Sequence, residues 1–179
     1  MTEYELIKGC INQDAKCQRL LFEQMAGKML SVCLRYANDA MEAEDMLQDG
    51  LIRVFNNVHQ FKFEGSFEGW VRRVVVNCAL KHLQKKRIHF SEINENNNDS
   101  LRMESYAFSN LGEDDLMKLI SQLPDGYRIV FNLNVIEGYT HEEIAQMLNI
   151  QASTSRSQLV KARKMLKHQI LELQKIAVS

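Results

Sequence analysis

Ten consecutive residues, Ser91-Glu92-Ile93-Asn94-Glu95-Asn96-Asn97-Asn98-Asp99-Ser100, contain one apolar side chain and no periodicity of helix or strand. Such a segment cannot bury enough apolar surface to offset the entropy of ordering it. It predicts a flexible, acidic linker over 89–112 and leaves 1–88 and 113–179 to fold as two small domains. On both sides apolar residues recur at helical spacing, and one proline and eight glycines in 179 residues are too few for a turn-rich β-sandwich or a collagen-like chain. The expected fold class is all-α: two small helical domains joined by a flexible linker. No apolar run approaches the roughly 18 residues that a membrane span needs, and Met1-Thr2-Glu3-Tyr4-Glu5 lacks the basic-then-apolar order of a signal peptide. A cytoplasmic protein with no direct membrane insertion is expected.

The net charge of −1 conceals an uneven layout. Residues 1–88 are net +2, residues 89–112 net −3, and residues 113–179 carry eight charges of each sign. From Gly69 to Phe90 the chain holds Arg72, Arg73, Lys81, Lys85, Lys86 and Arg87 with no acid. Between Glu143 and Leu171 it holds Arg156, Lys161, Arg163, Lys164 and Lys167, again without one. Two basic stretches in a near-neutral protein point to two contacts with a polyanion, the plainer alternative being two solvated helix faces.

Catalytic chemistry finds no support. Cys10, Cys17, Cys33 and Cys78 form no CxxC pair and read as small core residues of a reducing compartment. Cys78 and His82 stand four residues apart on one helix, a spacing that metals use, but no second ligand pair lies nearby in sequence. The motifs GxSxG, HExxH, GxGxxG and the P-loop are absent. No cofactor is implied.

In the first domain, helices are predicted over 3–10 and roughly 15–36, the second with Leu21, Met25, Val32 and Tyr36 on one face. Asp39 and Glu42 form a start signal for a third helix, with Ala43, Met46, Leu47, Gly50, Leu51, Val54 and Val58 inward. Its outer face sets Glu44, Asp45, Gln48 and Asp49 beside Ile52, then Arg53 and Asn56. An apolar anchor ringed by polar groups is the layout of a protein interface. An aromatic loop with Phe61 and Phe63 follows, then a helix over about Phe67–Arg87 with Phe67, Val71, Val74 and Cys78 inward. Arg73, Asn77, Lys81 and Gln84 share its outer stripe, suited to phosphates and base edges. Phe61 and Phe63 suit either an unstacked base or the core.

In the second domain, Leu116, Leu119, Ile120 and Leu123 make a short helix ended by Pro124-Asp125-Gly126. Tyr127–Glu137 follows as a helix with Val130, Phe131, Leu133, Val135 and Ile136 mostly buried and Gly138 as its cap. Thr140-His141-Glu142-Glu143 is a capping box, Asn149-Ile150-Gln151 a tight turn, and a long helix starts at Ser153. That helix buries Leu159, Ala162, Leu166 and Ile170 and shows Arg156, Ser157, Val160, Lys161, Lys164 and Lys167. Helix, short turn and basic second helix is the helix-turn-helix layout; an ordinary α-hairpin is the alternative.

These residues resemble the extracytoplasmic-function (ECF) sigma factors of bacterial RNA polymerase. Ala43-Glu44-Asp45-Met46-Leu47-Gln48-Asp49 resembles the family's A-E-D-x-x-Q-[DE] helix, and Gly65-Ser66-Phe67-Glu68-Gly69-Trp70-Val71 with Asn77 its s-F-x-x-W-[LV] and Asn pattern. Leu123-Pro124, Arg128, Val130, Phe131 and Glu137-Gly138-Tyr139-Thr140 through Glu142-Glu143-Ile144-Ala145 are similar to its LP…R.VF…EGY…EIA signature. The resemblance implies that 1–88 is a region 2 bundle and 113–179 a region 4 helix-turn-helix. Region 2 would grip the clamp helices of core RNA polymerase through Glu44, Asp45, Gln48, Asp49, Ile52 and Arg53. It would open the −10 element of promoter DNA with Phe61, Phe63, Trp70, Arg73, Asn77, Lys81 and Gln84. Region 4 would meet the polymerase flap and read the −35 element with Thr154, Arg156, Ser157, Gln158, Val160, Lys161 and Lys164. An anti-sigma factor is a further implied partner. The family's Gly-Thr-Val-x-Ser-Arg run is here Ser153-Thr154-Ser155-Arg156-Ser157-Gln158, so Gln158 would alter the −35 preference. Arg73-Val74 stands where primary sigma factors have two tryptophans, which implies melting less tolerant of a poor promoter.

Two other functions fit parts of the chain. A self-sufficient helix-turn-helix regulator accounts for 139–170 but gives the Ile52-centred face no role. A metal-dependent nuclease using Glu44, Asp45 and Asp49 lacks acids converging from another element. From composition, limited proteolysis of the free protein should cut between His89 and Gly112 and leave two resistant fragments. One resistant core spanning that segment would contradict the two-domain reading.

Overall fold

A computed structural model describes residues 1–85 and 112–178, with side chains described through Lys175. The predicted linker, 89–112, therefore lies outside the described residues except for Gly112. The chain divides into two compact units, Met1–Arg87 and Ile88–Ser179. Every regular element described is helical, in agreement with the all-α expectation.

The first unit contains α1 (Glu3–Ile11), α2 (Ala15–Leu34), α3 (Ala40–Asn57) and α4 (Phe67–Lys85). Starts are set by polar caps, because the first amides of a helix have no partner within it. The Thr2 hydroxyl accepts from the Glu5 amide and the Glu5 carboxylate from the Thr2 amide, so α1 opens on a capping box. Asp14 caps α2 and Asp39 caps α3. Glu42 does not reach back to the cap itself: its Oε2 accepts from the Asn38 amide at 2.7 Å and the Asn38 side chain at 3.0 Å, while Oε1 lies 3.5 Å from His82 Nε2 on α4. α3 packs on both α2 and α4, enclosing Leu21, Met29, Met46, Val54, Phe67 and Val75. The four cysteines are buried, as expected of core residues. Burial pushes the Cys10 thiol up to about 11 and that of Cys33 up to about 12, so neither ionises near neutral pH. In α4 the inward set is Phe67, Val71, Val75, Val76, Cys78, Ala79, Leu80 and Leu83; Val74, expected inward, is only half-buried.

The second unit contains α5 (Glu113–Ser121), α6 (Asp125–Phe131), α7 (His141–Leu148) and α8 (Ala152–Val178). Leu119, Ile120, Leu123, Ala162, Leu166 and Ile170 form its core. The α5–α6 turn is tied by Arg128, which is buried and donates to the Ser121 and Leu123 carbonyls and, at 2.8 Å, to Asp125 Oδ1. The helix expected over Tyr127–Glu137 widens after Phe131 into a π-turn, Asn132–Ile136, closed by the Glu137 amide on the Asn132 carbonyl at 2.9 Å. Val135, expected inward, is exposed, because it stands about 200° round the helix from the buried Leu133. Gly138 at φ +80° then ends the segment, as its position predicted.

Two glycines test this packing with opposite signs. A Cβ at Gly9 would stand 2.2 Å from Cys17 Sγ and 2.8 Å from Cys17 Cβ, whereas one at Gly27, on the open face of α2, would meet nothing within 4 Å. Gly9→Ala should destabilise the protein by about 1–3 kcal/mol through overpacking. Gly27→Ala should stabilise it by up to about 1 kcal/mol through helix propensity. Urea denaturation of the two variants checks both signs.

Candidate functional site

Three surfaces carry the candidate residues. The first is the outer face of α3. Once Asp39 fixes the start of the helix, about 100° per residue sends Ala43, Met46, Leu51 and Val54 to the core. Glu44, Asp45, Gln48, Asp49, Ile52 and Arg53 are then all left exposed. Ile52 keeps 58% of its surface in water. An aliphatic side chain so exposed among three carboxylates is suited to desolvation by a partner carrying basic and apolar groups.

The second surface is α4 with its preceding loop. Arg73, Asn77, Lys81 and Gln84 are exposed along one stripe, as their spacing predicted. Asp49, Ile52 and Arg53 of α3 line one groove of about 560 Å³ together with Lys81 and His82 of α4, so the two faces are contiguous. The loop aromatics divide. Phe61 is 7% exposed, its ring 5.0 Å from Phe67 and 5.9 Å from Trp70 between centroids; it is a core residue and cannot stack on a base. An aromatic cluster under the loop needs a ring pointing down, and the sequence did not distinguish which ring that is. Trp70 stacks on Phe67, with centroids 5.8 Å apart and planes 15° apart, and remains half-buried. Phe63 alone of the two loop phenylalanines turns outward.

The third surface is the α7–turn–α8 unit. The Thr140 amide donates to Glu143 Oε2 at 2.8 Å and the Glu143 amide to Thr140 Oγ1 at 3.2 Å, the capping box read from the sequence. Asn149, left-handed at φ 54°, makes the turn. On α8, Arg156, Ser157, Val160 and Lys164 point to solvent and Lys161 is half-buried. Thr154 and Gln158 are 6% and 4% exposed and face inward, so they are not groove-facing residues and Gln158 has no route to a base edge. The first turn of α8 packs against the rest of its unit through Thr154, Ser155 and Gln158, a polar inner face that a search for apolar residues does not register.

Two residues of α7 belong to this surface that sequence reasoning left out. Glu142 forms an ion pair with Arg156, which holds the guanidinium at the start of α8. His141 Nδ1 lies 2.8 Å from the hydroxyl of Ser155, itself fully buried. Burial, and then the Arg156 charge, hold the His141 imidazole below its ordinary range. The helix-turn-helix geometry brings these pairs together across the turn; a linear motif contains no sign of them. Among the described residues no three His, Cys, Asp or Glu side chains gather to hold a metal ion, and no helix is long and apolar enough to cross a membrane.

The chain thus pairs a helical unit bearing an exposed acidic face around Ile52 and a basic stripe with a helix-turn-helix unit. Residues 21–88 match the family Sigma-70 region 2, and residues 113–166 match the family Sigma-70, region 4. Over 153 residues the chain is 31% identical to the ECF RNA polymerase sigma factor SigE of Mycolicibacterium smegmatis, covering 82% of this chain and 59% of that one. It is 28% identical over 158 residues to the ECF RNA polymerase sigma factor SigW of Bacillus subtilis, covering 82% of this chain and 84% of that one. The fold is similar to that of the sigma factor RpoE, solved in complex with the anti-sigma factor NepR from Bartonella quintana, with TM-score 0.53, 17% identity, and 86% and 96% of the two chains covered. The chain belongs to the ECF sigma factors of the sigma-70 family.

The His141 contact makes the second unit acid-sensitive. A histidine held below its unfolded pKa, ordinarily 6.5, binds fewer protons folded than unfolded. Its stabilising contribution is complete above that value and is lost as pH falls through the lower folded one. Hydrogen-exchange protection factors of α7 and α8 should fall between pH 7 and pH 5, and His141→Gln should reduce the fall. Equal pH dependence in the two proteins would contradict the assignment.

Proposed function

We propose that the chain is a non-catalytic transcription initiation factor that binds core RNA polymerase, brings it to promoters and traps the melted strand. The observation that carries this reading is the contiguity of the Ile52-centred acidic face with the Arg73–Gln84 stripe, because one rigid unit then meets polymerase and DNA together. Glu44, Asp45, Gln48, Asp49, Ile52 and Arg53 dock on the clamp helices. Arg73, Lys81 and Gln84 follow the strand with Asn77 at base edges, while Trp70 supports the loop that presents Phe63. Region 4 reads the −35 element with Arg156, Ser157 and Val160 at the N-terminal end of α8, where a recognition helix reaches base edges, and holds phosphate with Lys161 and Lys164. The polymerase flap would seat this domain. Work on polymerase places the protein in the cytoplasm. A sequestering anti-sigma factor is a partner in keeping with the RpoE–NepR complex. A stand-alone regulator needs no acidic docking face.

Ile52→Arg or Asp45→Arg should weaken core binding while leaving helix content and melting temperature unchanged, since both side chains are exposed. Unchanged core affinity in both would remove the docking assignment. Arg156→Ala should lose roughly 1–3 kcal/mol at one −35 base pair and flatten preference there, whereas Lys164→Ala should weaken all promoters alike. Promoter activity across single-base −35 variants separates the two effects, and Gln158→Ala should leave the base preference as it was.

A further inference from the structure

Two consecutive residues of α7 reach across the turn to two consecutive residues of α8. His141 Nδ1 lies 2.8 Å from the Ser155 hydroxyl, and Glu142 Oε1 pairs with Arg156 Nη2. Ser155 is fully buried, so the first contact keys the two helices together at the residue before Arg156. The second contact is of a different kind. The Arg156 and Glu142 side chains remain 55% and 64% exposed, and an ion pair so open to water contributes little to stability. The α7 cap is closed by Glu143 rather than by Glu142. Stability therefore does not account for Glu142. Its carboxylate stands beside Arg156 at the N-terminal end of α8, the end that a recognition helix turns toward base edges. DNA repels a negative charge in that position.

We propose that Glu142 is a specificity-determining residue of the −35 reader: its carboxylate keeps the Arg156 guanidinium off the phosphate backbone and commits it to guanine. The inference rests on the reading of α8 as the −35 recognition helix. A phosphate that approaches Arg156 brings a second anion against Glu142, and the two repel. Guanine instead offers O6 and N7 in the major groove, two acceptors without net charge. The guanidinium carries its N–H donors in a planar fork; Glu142 engages one nitrogen, and a two-donor edge remains for those acceptors. An arginine free of any carboxylate serves either target, whereas one tied to Glu142 loses more at phosphate than at guanine. Glu142 thereby lowers sequence-independent affinity and raises base preference, a repulsive element of the kind that discrimination uses. Were Glu142 only a brace for Arg156, its loss would weaken binding to matched and unmatched DNA in the same direction.

The test uses holoenzyme assembled from the full-length chain and core polymerase, bound over a range of salt to a promoter selected from a random library and to its single-base −35 variants. Arg156→Ala should flatten preference at one base pair by about five- to hundredfold, and that pair should present guanine to α8. Glu142→Gln keeps an oxygen that accepts from Arg156 but loses the charge. It should flatten preference at the same base pair by about threefold or more. It should also raise affinity for promoters with a scrambled −35 block and steepen their salt dependence by about one counterion. Glu142→Asp, which retains the charge, should leave affinity for the scrambled blocks near the wild-type value. In an Arg156→Ala background, Glu142→Gln should no longer alter base preference. An unaltered base preference in Glu142→Gln, a loss of affinity for matched and scrambled blocks alike, or an equal rise in Glu142→Asp overturns the inference alone. A base preference that Arg156→Ala leaves intact overturns the reading of α8 and the inference with it.

Discussion

Where α3 meets α4, the absence of a side chain at Gly50 admits Val75: an added Cβ would stand 3.1 Å from Val75 Cγ2 and 3.3 Å from its Cα. Glu42, hydrogen-bonded to Asn38 and with Oε1 3.5 Å from His82 Nε2, brings the same two helices together a second time. With the pair in register, the rotation of each helix is determined by what it buries, and so is what it exposes. The Ile52 face and the Arg73–Gln84 stripe become parts of one solid object with a shared groove. If polymerase grips the first, as proposed, the second is presented at a fixed place, and coupling of the two contacts needs no conformational relay.

The second unit divides its labour differently. The residues that make the chain resemble its family there are chiefly structural. Arg128 ties the α5–α6 turn, Val130 and Ile144 fill the core, Gly138 supplies a positive φ, and Thr140 with Glu143 closes the α7 cap. The residues proposed to read DNA lie between those landmarks: Arg156, Ser157 and Val160, exposed at the start of α8. The Glu142–Arg156 ion pair holds the guanidinium proposed to read a base against the neighbouring helix, and such preorganisation lowers the ordering cost of binding.

Most of this was legible from period and punctuation. Helix faces with apolar residues at 3.6-residue spacing, as in α3 and the later part of α8, emerged with the expected residues inside and outside. The misplacements of Thr154, Gln158 and Phe61 share one physical cause, an interior that is not defined by aliphatic side chains. Thr154 and Gln158 are polar and buried; Phe61 and Phe63 are chemically identical and differ only in the direction the loop turns them. Val135 stands about 200° round the helix from Leu133, so the 3.6-residue period itself places it outward. His141 and Glu142 act through partners distant in the chain, and contacts of that kind are set by tertiary packing rather than by spacing.

The central claim is that one chain makes core polymerase promoter-specific. Run-off transcription by core polymerase, with and without the chain, on a genomic promoter library measures it directly. Addition of the chain should yield discrete products whose templates share two separated sequence blocks, one read by each unit. Products no different from those of core polymerase alone, from a folded chain that by itself binds duplex DNA at paired half-sites, would contradict it.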